Sequence, residues 1–102
     1  MKAVVWSQQA RRANAEIIKY ISTVGDERSA RRVHQRILDA GNQLGRLATG
    51  RPGRVTGTYE KSVAQTSHII LYALPSRSGR EFVLILDIVH MSRNWPRGQM
   101  PS

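Results

Sequence analysis

The spacing of apolar residues changes once along this chain, and that change constrains the fold more than any other feature. Through residues 8–48, apolar side chains recur every three or four positions, which is the period of an amphipathic helix. The sequence Gly-Arg-Pro-Gly at residues 50–53 then interrupts the helical pattern. After it come short runs that are rich in β-branched residues, as in strands. The spacing therefore predicts helices in the first half of the chain and a sheet in the second.

Two helices are predicted before residue 50. The first spans Gln8–Val24, with Ser7 as its N-cap, and the second spans residues 27–48, with Asp26 as its N-cap. Gly25 can adopt the left-handed conformation that ends the first helix. Because the connection is only one or two residues long, the helices should form an antiparallel hairpin.

Four strands complete the predicted order, β-α-α-β-β-β. They span residues 3–6, 58–63, 68–74 and 82–89, and the segment 75–80 has the composition of a hairpin loop. The last strand is the most apolar and is predicted to be central and buried on both faces. Asp87 inside it needs a partner, because burial of an unpaired carboxylate is costly. This order predicts an α+β fold, a mainly antiparallel sheet with the helical hairpin packed against one face.

Composition narrows the class of protein. The chain has 102 residues, 40% of them hydrophobic, which is enough for one core. It carries 16 Lys and Arg against 7 Asp and Glu, a formal net charge of +9, so polyanions or acidic proteins are the expected partners. It has no cysteine, which excludes disulfides and thiolate chemistry. Without an apolar run of membrane-spanning length or a signal peptide, a small, soluble, cytoplasmic protein is expected.

Four segments resemble the RelE/ParE superfamily of bacterial toxins from type II toxin–antitoxin systems, and together they cover nearly the whole chain. They are Val5-Trp6-Ser7 with Ala10, Ala30-Arg31-Arg32-Val33 with Ile37, the loop at residues 50–58, and Val89-His90 with Arg93-Asn94-Trp95-Pro96. The resemblance implies one toxin domain over residues 1–96 and a flexible C-terminal tail over residues 97–102.

The superfamily has two branches with different targets. RelE-like members cut mRNA on the ribosome with polar side chains on the concave face of the sheet, whereas ParE-like members act on DNA gyrase. Nucleases of the first branch commonly carry an arginine on the third strand, where a cation stabilises the charged phosphorane. Ile69 stands at that position here, and the ending has His90-Met91 in place of a His-Arg pair. These differences favour the ParE-like branch.

The ParE-like resemblance implies a toxin that inhibits DNA gyrase, and so replication, and that a cognate acidic antitoxin neutralises in a hetero-oligomer. DNA would be contacted only indirectly, through gyrase or the antitoxin, and no cofactor, metal site or hydrolytic centre is expected. Target contacts are expected just after the last strand, at Met91, Arg93, Asn94, Trp95 and Pro96. Antitoxin contacts are expected on the second helix, at Arg28, Arg31, Arg32 and Arg36, although these residues also fit a merely solvated helix face.

Two alternatives remain open. The first is an mRNA endoribonuclease with a degenerate site made of Arg54, Lys61, His90 and Arg93. The second is a non-toxic basic nucleic-acid-binding domain, which the shortage of stacking aromatic residues disfavours. His90 is more typical of a structural residue than of a catalyst, and His68 is expected at the rim of the sheet.

Overall fold

The computed structural model describes residues 1–92, so Arg93 to Pro96 and the tail 97–102 lie outside the described residues. Two helices and seven strands are present in the described part. They are β1 (Val4–Trp6), α1 (Gln8–Val24), α2 (Glu27–Gln43), β2 (Arg51–Pro52), β3 (Thr58–Ser62), β4 (His68–Ala73), β5 (Ser76–Arg77), β6 (Arg80–Glu81) and β7 (Val83–His90).

The longer elements confirm the predicted order and the α+β class. Five strands form one sheet in the order β1-β7-β4-β3-β2, and β5 and β6 form a separate small hairpin. All neighbours in the large sheet are antiparallel except β1 and β7, which run parallel. The pattern of apolar residues missed β2, β5 and β6, because strands of two residues leave no periodic signal.

The caps of both helices follow from local chemistry. The hydroxyl oxygen of Ser7 accepts a hydrogen bond from the amide of Ala10 at 3.0 Å, and the Asp26 carboxylate accepts one from the amide of Ser29 at 2.7 Å. The second bond favours the charged carboxylate, so the pKa of Asp26 lies below its ordinary value. The amide of Gly25 closes α1 by donating to the carbonyl of Ile21 at 2.8 Å, but Gly25 has a φ of −122° and not the left-handed conformation that was predicted.

The predicted end of α2 was wrong: the helix stops at Gln43, although helical spacing continues to residue 48. Beyond Gln43 the amides of Leu44 and Gly45 bond to carbonyls only three residues back, which tightens the chain into turns. The carbonyl of Gly45 meanwhile accepts a hydrogen bond from the amide of Lys2 at 2.7 Å. A contact across more than forty residues thus ties down the segment after the helix, and local spacing cannot reveal it.

The core lies between the helical hairpin and one face of the sheet. At Gly41, α2 comes so close that an added Cβ would lie 2.5 Å from the Trp6 ring and 2.8 Å from Ile85. The Trp6 ring also donates from Nε1 to the side-chain oxygen of Asn42 at 3.1 Å. The buried cluster comprises Ala10, Ala13, Ile37, Leu44, Val63, Ile70, Tyr72, Val83, Ile85 and Ile88.

Neither of the two helices in residues 1–92 lies over the opposite face of the sheet, called here the open face. For this reason β7 is not buried on both faces along its length as predicted: Val83, Ile85, Ile88 and Val89 are buried, whereas Leu84 and Leu86 are only half-buried. Asp87 is also half-buried. Its Oδ1 accepts a hydrogen bond from the amide of Ile88 at 2.8 Å, which gives the carboxylate the partner that the sequence analysis called for.

Replacing Tyr72 with phenylalanine should lower the free energy of unfolding by about 1 kcal/mol. The Tyr72 side chain is fully buried, and its hydroxyl accepts a hydrogen bond from the amide of Gly50 at 2.8 Å, which the change would leave unpaired. Urea denaturation of both proteins measures the difference. Tyr20→Phe is the matched control, because Tyr20 is 66% exposed and should be close to neutral. Equal stability of all three proteins would contradict this role for the Tyr72 hydroxyl.

Candidate functional site

A groove of about 700 Å³ opens between α1 and the adjoining ends of β4 and β7. Its walls include Ile17 and Ile21 from α1, Val33 from α2, and Ile88 from β7. Tyr20 stands at its mouth with 66% of its surface exposed, and Val24, one turn further along α1, is 64% exposed. The hairpin therefore leaves an apolar surface that it does not cover itself, as at sites for partner proteins.

Two histidines stand at one end of this groove. His68 and His90 are directly opposite in the β4–β7 register, and their rings meet edge to face with centroids 5.3 Å apart. His68 opens β4 at the end of the sheet, and its side chain is buried. Burial, with a smaller contribution from His90, lowers the pKa of His68 below its ordinary value. No hydrogen-bond partner reaches its Nδ1 from the part of the chain that the structure describes.

His90 has a different environment, because its ring is exposed at the end of β7. Its Nδ1 accepts a hydrogen bond from the amide of Ser92 at 3.0 Å, and the Ser92 hydroxyl lies 2.6 Å from the same nitrogen. The amide of Met91 donates to the carbonyl of Ser67 at 2.7 Å. The chain is thus held on both sides of the turn that follows β7.

The predicted basic residues of α2, three of them exposed and Arg36 half-buried, form a group beside the groove, named here the basic shoulder: Arg28, Arg31, Arg32 and Arg36. Arg31 lies 3.7 Å from the Glu27 carboxylate, and Arg32 donates to the Ser29 hydroxyl at 3.4 Å. Exposed contacts of this kind contribute little to stability, which leaves the guanidinium groups available for a partner. Because Arg36 is three residues after Val33, it lies beside the groove wall on the surface of α2.

The open face carries a carboxylate that the sequence analysis missed. Glu60 is only 8% exposed and lies 3.5 Å from the guanidinium of Arg51, its partner in the β2–β3 register. Arg54, Ile69 and Leu71 line the same shallow hollow. Alternation along β3 could have assigned Glu60 to a face, but β2, which supplies Arg51, gave no recognisable signal.

The fold brings together only some of the residues of the nuclease alternative. Arg54 and His90 both line the hollow of the open face, and the ring of His90 also packs against His68. Lys61 pairs with the buried Ile70 and donates to the hydroxyl of Thr49 at 2.8 Å, so it lies on the helix side of the sheet. The fourth residue, Arg93, lies outside the described residues.

Of the predicted target-binding residues, the structure describes only Met91, which is 47% exposed directly after β7. Arg93, Asn94, Trp95 and Pro96 lie outside the described part. Over residues 1–92, no group of three His, Asp or Glu side chains is arranged to hold a metal ion. Neither described helix has the length and apolar character needed to cross a bilayer.

The fold, two helices on one face of a mainly antiparallel sheet, matches a solved chain of the chromosomal ParDE toxin–antitoxin system from P. aeruginosa. The TM-score is 0.79 over 88% of this chain and 96% of that chain, at 18% sequence identity, a likeness of fold alone. In sequence, the chain is 37% identical over 97 residues to Y4kP, a candidate toxin of Sinorhizobium fredii (strain NBRC 101917 / NGR234), which covers 94% of this chain and 95% of that protein. The family described as "ParE toxin of type II toxin-antitoxin system, parDE" matches residues 4–95. The chain belongs to the ParE toxin family.

Acidification should destabilise the fold through His68. The folded state lowers the pKa of this histidine below its ordinary value of 6.5, so the unfolded chain takes up the proton first as the pH falls. The contribution of His68 is therefore present above about pH 6.5 and declines as the pH falls towards the lower pKa of the folded state. Urea denaturation at about pH 8 and about pH 5 should show a smaller loss of stability for His68→Phe than for the wild-type chain. An identical loss would show that His68 does not contribute.

Proposed function

We propose that this toxin inhibits DNA gyrase in the bacterial cytoplasm and is neutralised by a cognate acidic antitoxin. Family membership supports the class of target. One observation on the sheet supports gyrase inhibition over mRNA cleavage. An apolar side chain, Ile69, occupies the strand position that carries the phosphate-stabilising arginine in similar nucleases.

Chemistry explains why that arrangement matters. Cleavage of RNA without a metal requires a base, an acid and a cation within reach of one phosphate. Here Lys61 is on the helix side of the sheet and Arg54 is beside the open face, so the sheet itself separates two of the candidate cations. Inhibition by binding requires no such cluster, only a surface that fits the target.

For the target surface we propose the segment that follows β7: Met91, Arg93, Asn94, Trp95 and Pro96. Met91 supports this proposal, because it is an apolar side chain left 47% exposed at the start of the segment. Tryptophan and arginine, which follow in the sequence, are the side chains most enriched at binding hot spots.

For the antitoxin we propose a surface that joins the groove to the basic shoulder. The groove offers apolar walls, and the shoulder offers four arginines on the adjoining surface of α2. An amphipathic segment with an apolar stripe and acidic flanks is complementary to both. A chain with a net charge of +9 would also attract such a segment over a distance.

The experiment that tests the proposed target is a gyrase supercoiling and cleavage assay with the purified chain, run beside a ribosome-dependent mRNA cleavage assay. We expect inhibition of supercoiling or accumulation of cleaved DNA, and intact mRNA. Cleaved mRNA with unaffected gyrase would contradict the proposal and support the nuclease alternative.

A shortened chain serves as the control that locates the target surface in the same assay. Deleting residues 95–102 should weaken gyrase inhibition while leaving antitoxin binding near the wild-type level. Full inhibition by the shortened chain would contradict the assignment of Trp95 and Pro96.

Reversing two charges of the basic shoulder should weaken antitoxin binding. The double variant Arg28→Glu, Arg32→Glu is expected to reduce affinity for the co-expressed antitoxin roughly tenfold at low salt, with a smaller effect at high salt. Titration calorimetry at two salt concentrations measures both effects. Arg77→Glu, Arg80→Glu makes the same change of net charge in the separate β5–β6 hairpin, and it should bind nearly as well as the wild-type chain. Equal losses in both variants would indicate attraction by net charge alone.

A further inference from the structure

The small hairpin of β5 and β6 carries a run of groups suited to an anion. Residues 76–80 read Ser-Arg-Ser-Gly-Arg, and every one of them is exposed. Serine hydroxyls, guanidinium groups and backbone amides are donors that proteins direct at phosphate oxygens. The run contains no acidic residue, and the carboxylate that follows it, Glu81, lies 3.9 Å from Nζ of Lys2. The tip of the hairpin is therefore cationic.

The register of the hairpin brings its two arginines together. Arg77 and Arg80 are directly opposite one another, so their Cβ atoms are roughly 5 Å apart on one face of the hairpin. Like charges in this position destabilise a pair of strands. Within residues 1–92, neither guanidinium has an ion pair or a side-chain hydrogen bond that would offset the repulsion. An anion bound from outside would offset it.

The backbone of the hairpin is fixed before any partner binds. Ser78 and Gly79, the two residues of the turn, have positive φ values of 52° and 77°, as the favoured two-residue hairpin turns require. The amide of Phe82 closes the base of the hairpin by donating to the carbonyl of Pro75 at 3.0 Å. The two arginines thus project from a defined frame, so less ordering is needed when a partner binds.

The hairpin is remote from the other surfaces that we propose. It joins the end of β4 to the start of β7, whereas His68 and His90 stand at the opposite ends of these two strands. A strand of eight residues such as β7 is roughly 25 Å long. A partner seated in the groove would therefore leave Arg77 and Arg80 exposed.

Duplex DNA suits this arrangement better than an acidic protein or an RNA duplex does. DNA carries a negative charge about every 1.7 Å along its axis, so two cations that lie side by side both meet phosphates. Carboxylates packed equally closely on a protein would repel one another. A two-stranded ribbon also fits the major groove of DNA, whereas the major groove of RNA is too narrow to admit it.

We infer that the β5–β6 hairpin binds the phosphate backbone of duplex DNA directly, through Arg77 and Arg80. The ParE-like resemblance implied only indirect contact with DNA, through gyrase or the antitoxin. The inference goes beyond the proposed inhibition of gyrase, which requires no such contact, and it can be tested without gyrase. Because contacts to phosphates carry no sequence information, the binding should have no sequence preference.

The test measures the affinity of the full-length chain for a short labelled DNA duplex by fluorescence anisotropy at several salt concentrations. Each phosphate neutralised by a cation contributes about 0.9 to the slope of log affinity against log salt concentration. The double variant Arg77→Gln, Arg80→Gln should therefore reduce this slope by about 1.8, and it should lower the affinity by roughly tenfold or more at about 50 mM salt.

The matched control is Arg11→Gln, Arg12→Gln. It removes the same two charges from an exposed part of α1 that belongs to none of the proposed surfaces. This variant should bind the duplex within about threefold of the wild-type chain, because distant charges act only through a screened field. Equal losses in the two variants would overturn the inference, since net charge alone would then explain the attraction. A wild-type chain that does not bind the duplex would overturn it as well.

A second measurement separates binding by the arginines from a role in the fold. Removing the opposed charges should leave the stability unchanged or raise it slightly, because the repulsion between Arg77 and Arg80 is relieved. Urea denaturation of the wild-type chain and both variants measures this. A clear loss of stability in the hairpin variant would overturn the inference, because the two charges would then serve the fold rather than a partner.

The two proposals fail separately. A chain that binds DNA through the hairpin but leaves gyrase unaffected would overturn the proposed target and support the inference. A chain that inhibits gyrase, with a hairpin variant that binds the duplex as the wild-type chain does, would overturn the inference alone. Loss of antitoxin binding with unchanged DNA binding in the hairpin variant would overturn it too, and would assign the hairpin to an acidic protein.

Discussion

The insertion of β7 between β1 and β4 is the constraint on which the rest of the structure depends. Among the strands of residues 1–92, β7 alone pairs with both halves of the chain, parallel to β1 and antiparallel to β4. Parallel neighbours cannot be joined by a tight turn, so a long stretch of chain separates β1 from β7. The helical hairpin leads from β1 at one edge of the sheet to β2 at the other edge and packs over one face, and β3 and β4 then lead back towards β7. The open face, the groove beside α1 and the position of His90 all follow from this arrangement.

The local sequence was sufficient to predict those helix limits and strands whose determinants lie within a few residues of one another. Ser7, Gly25 and Asp26 specify the limits of α1 and the start of α2, because a cap depends on side chains and amides of one turn. β4 was recognisable because it is rich in residues that favour strands. The end of α2 was not recognisable, since helical spacing continues past Gln43 and the bond between Lys2 and Gly45 joins segments that are distant in the sequence. The partial exposure of β7 also escaped prediction, because composition does not show which face of a strand lacks a covering layer.

In the candidate site, too, features with local determinants could be predicted and those with long-range determinants could not. The basic shoulder could be predicted, because helical spacing places its arginines on one surface of α2. The groove and the pair of His68 and His90 could not, since they require the register of β4 against β7. Glu60 was missed for a related reason: its partner Arg51 belongs to a strand of two residues. Polar groups that are distant in the sequence become neighbours only after the register of the sheet has placed them side by side.

The side chains on the two faces of the sheet support the proposal that this ParE-family toxin acts by binding rather than by cleaving RNA. On the open face the centre is apolar at Ile69 and Leu71, and the buried Glu60 is engaged with Arg51. Arg54 and His90 also line the hollow, but the strand position of Ile69 offers no cation to a phosphate placed there. Exposed apolar side chains include Tyr20 and Val24 beside the groove and Met91 after β7. The proposed antitoxin surface and the proposed target surface adjoin at the end of β7, because His90 lines the groove and Met91 follows it directly. An antitoxin segment seated in the groove would therefore lie beside the start of the proposed target surface.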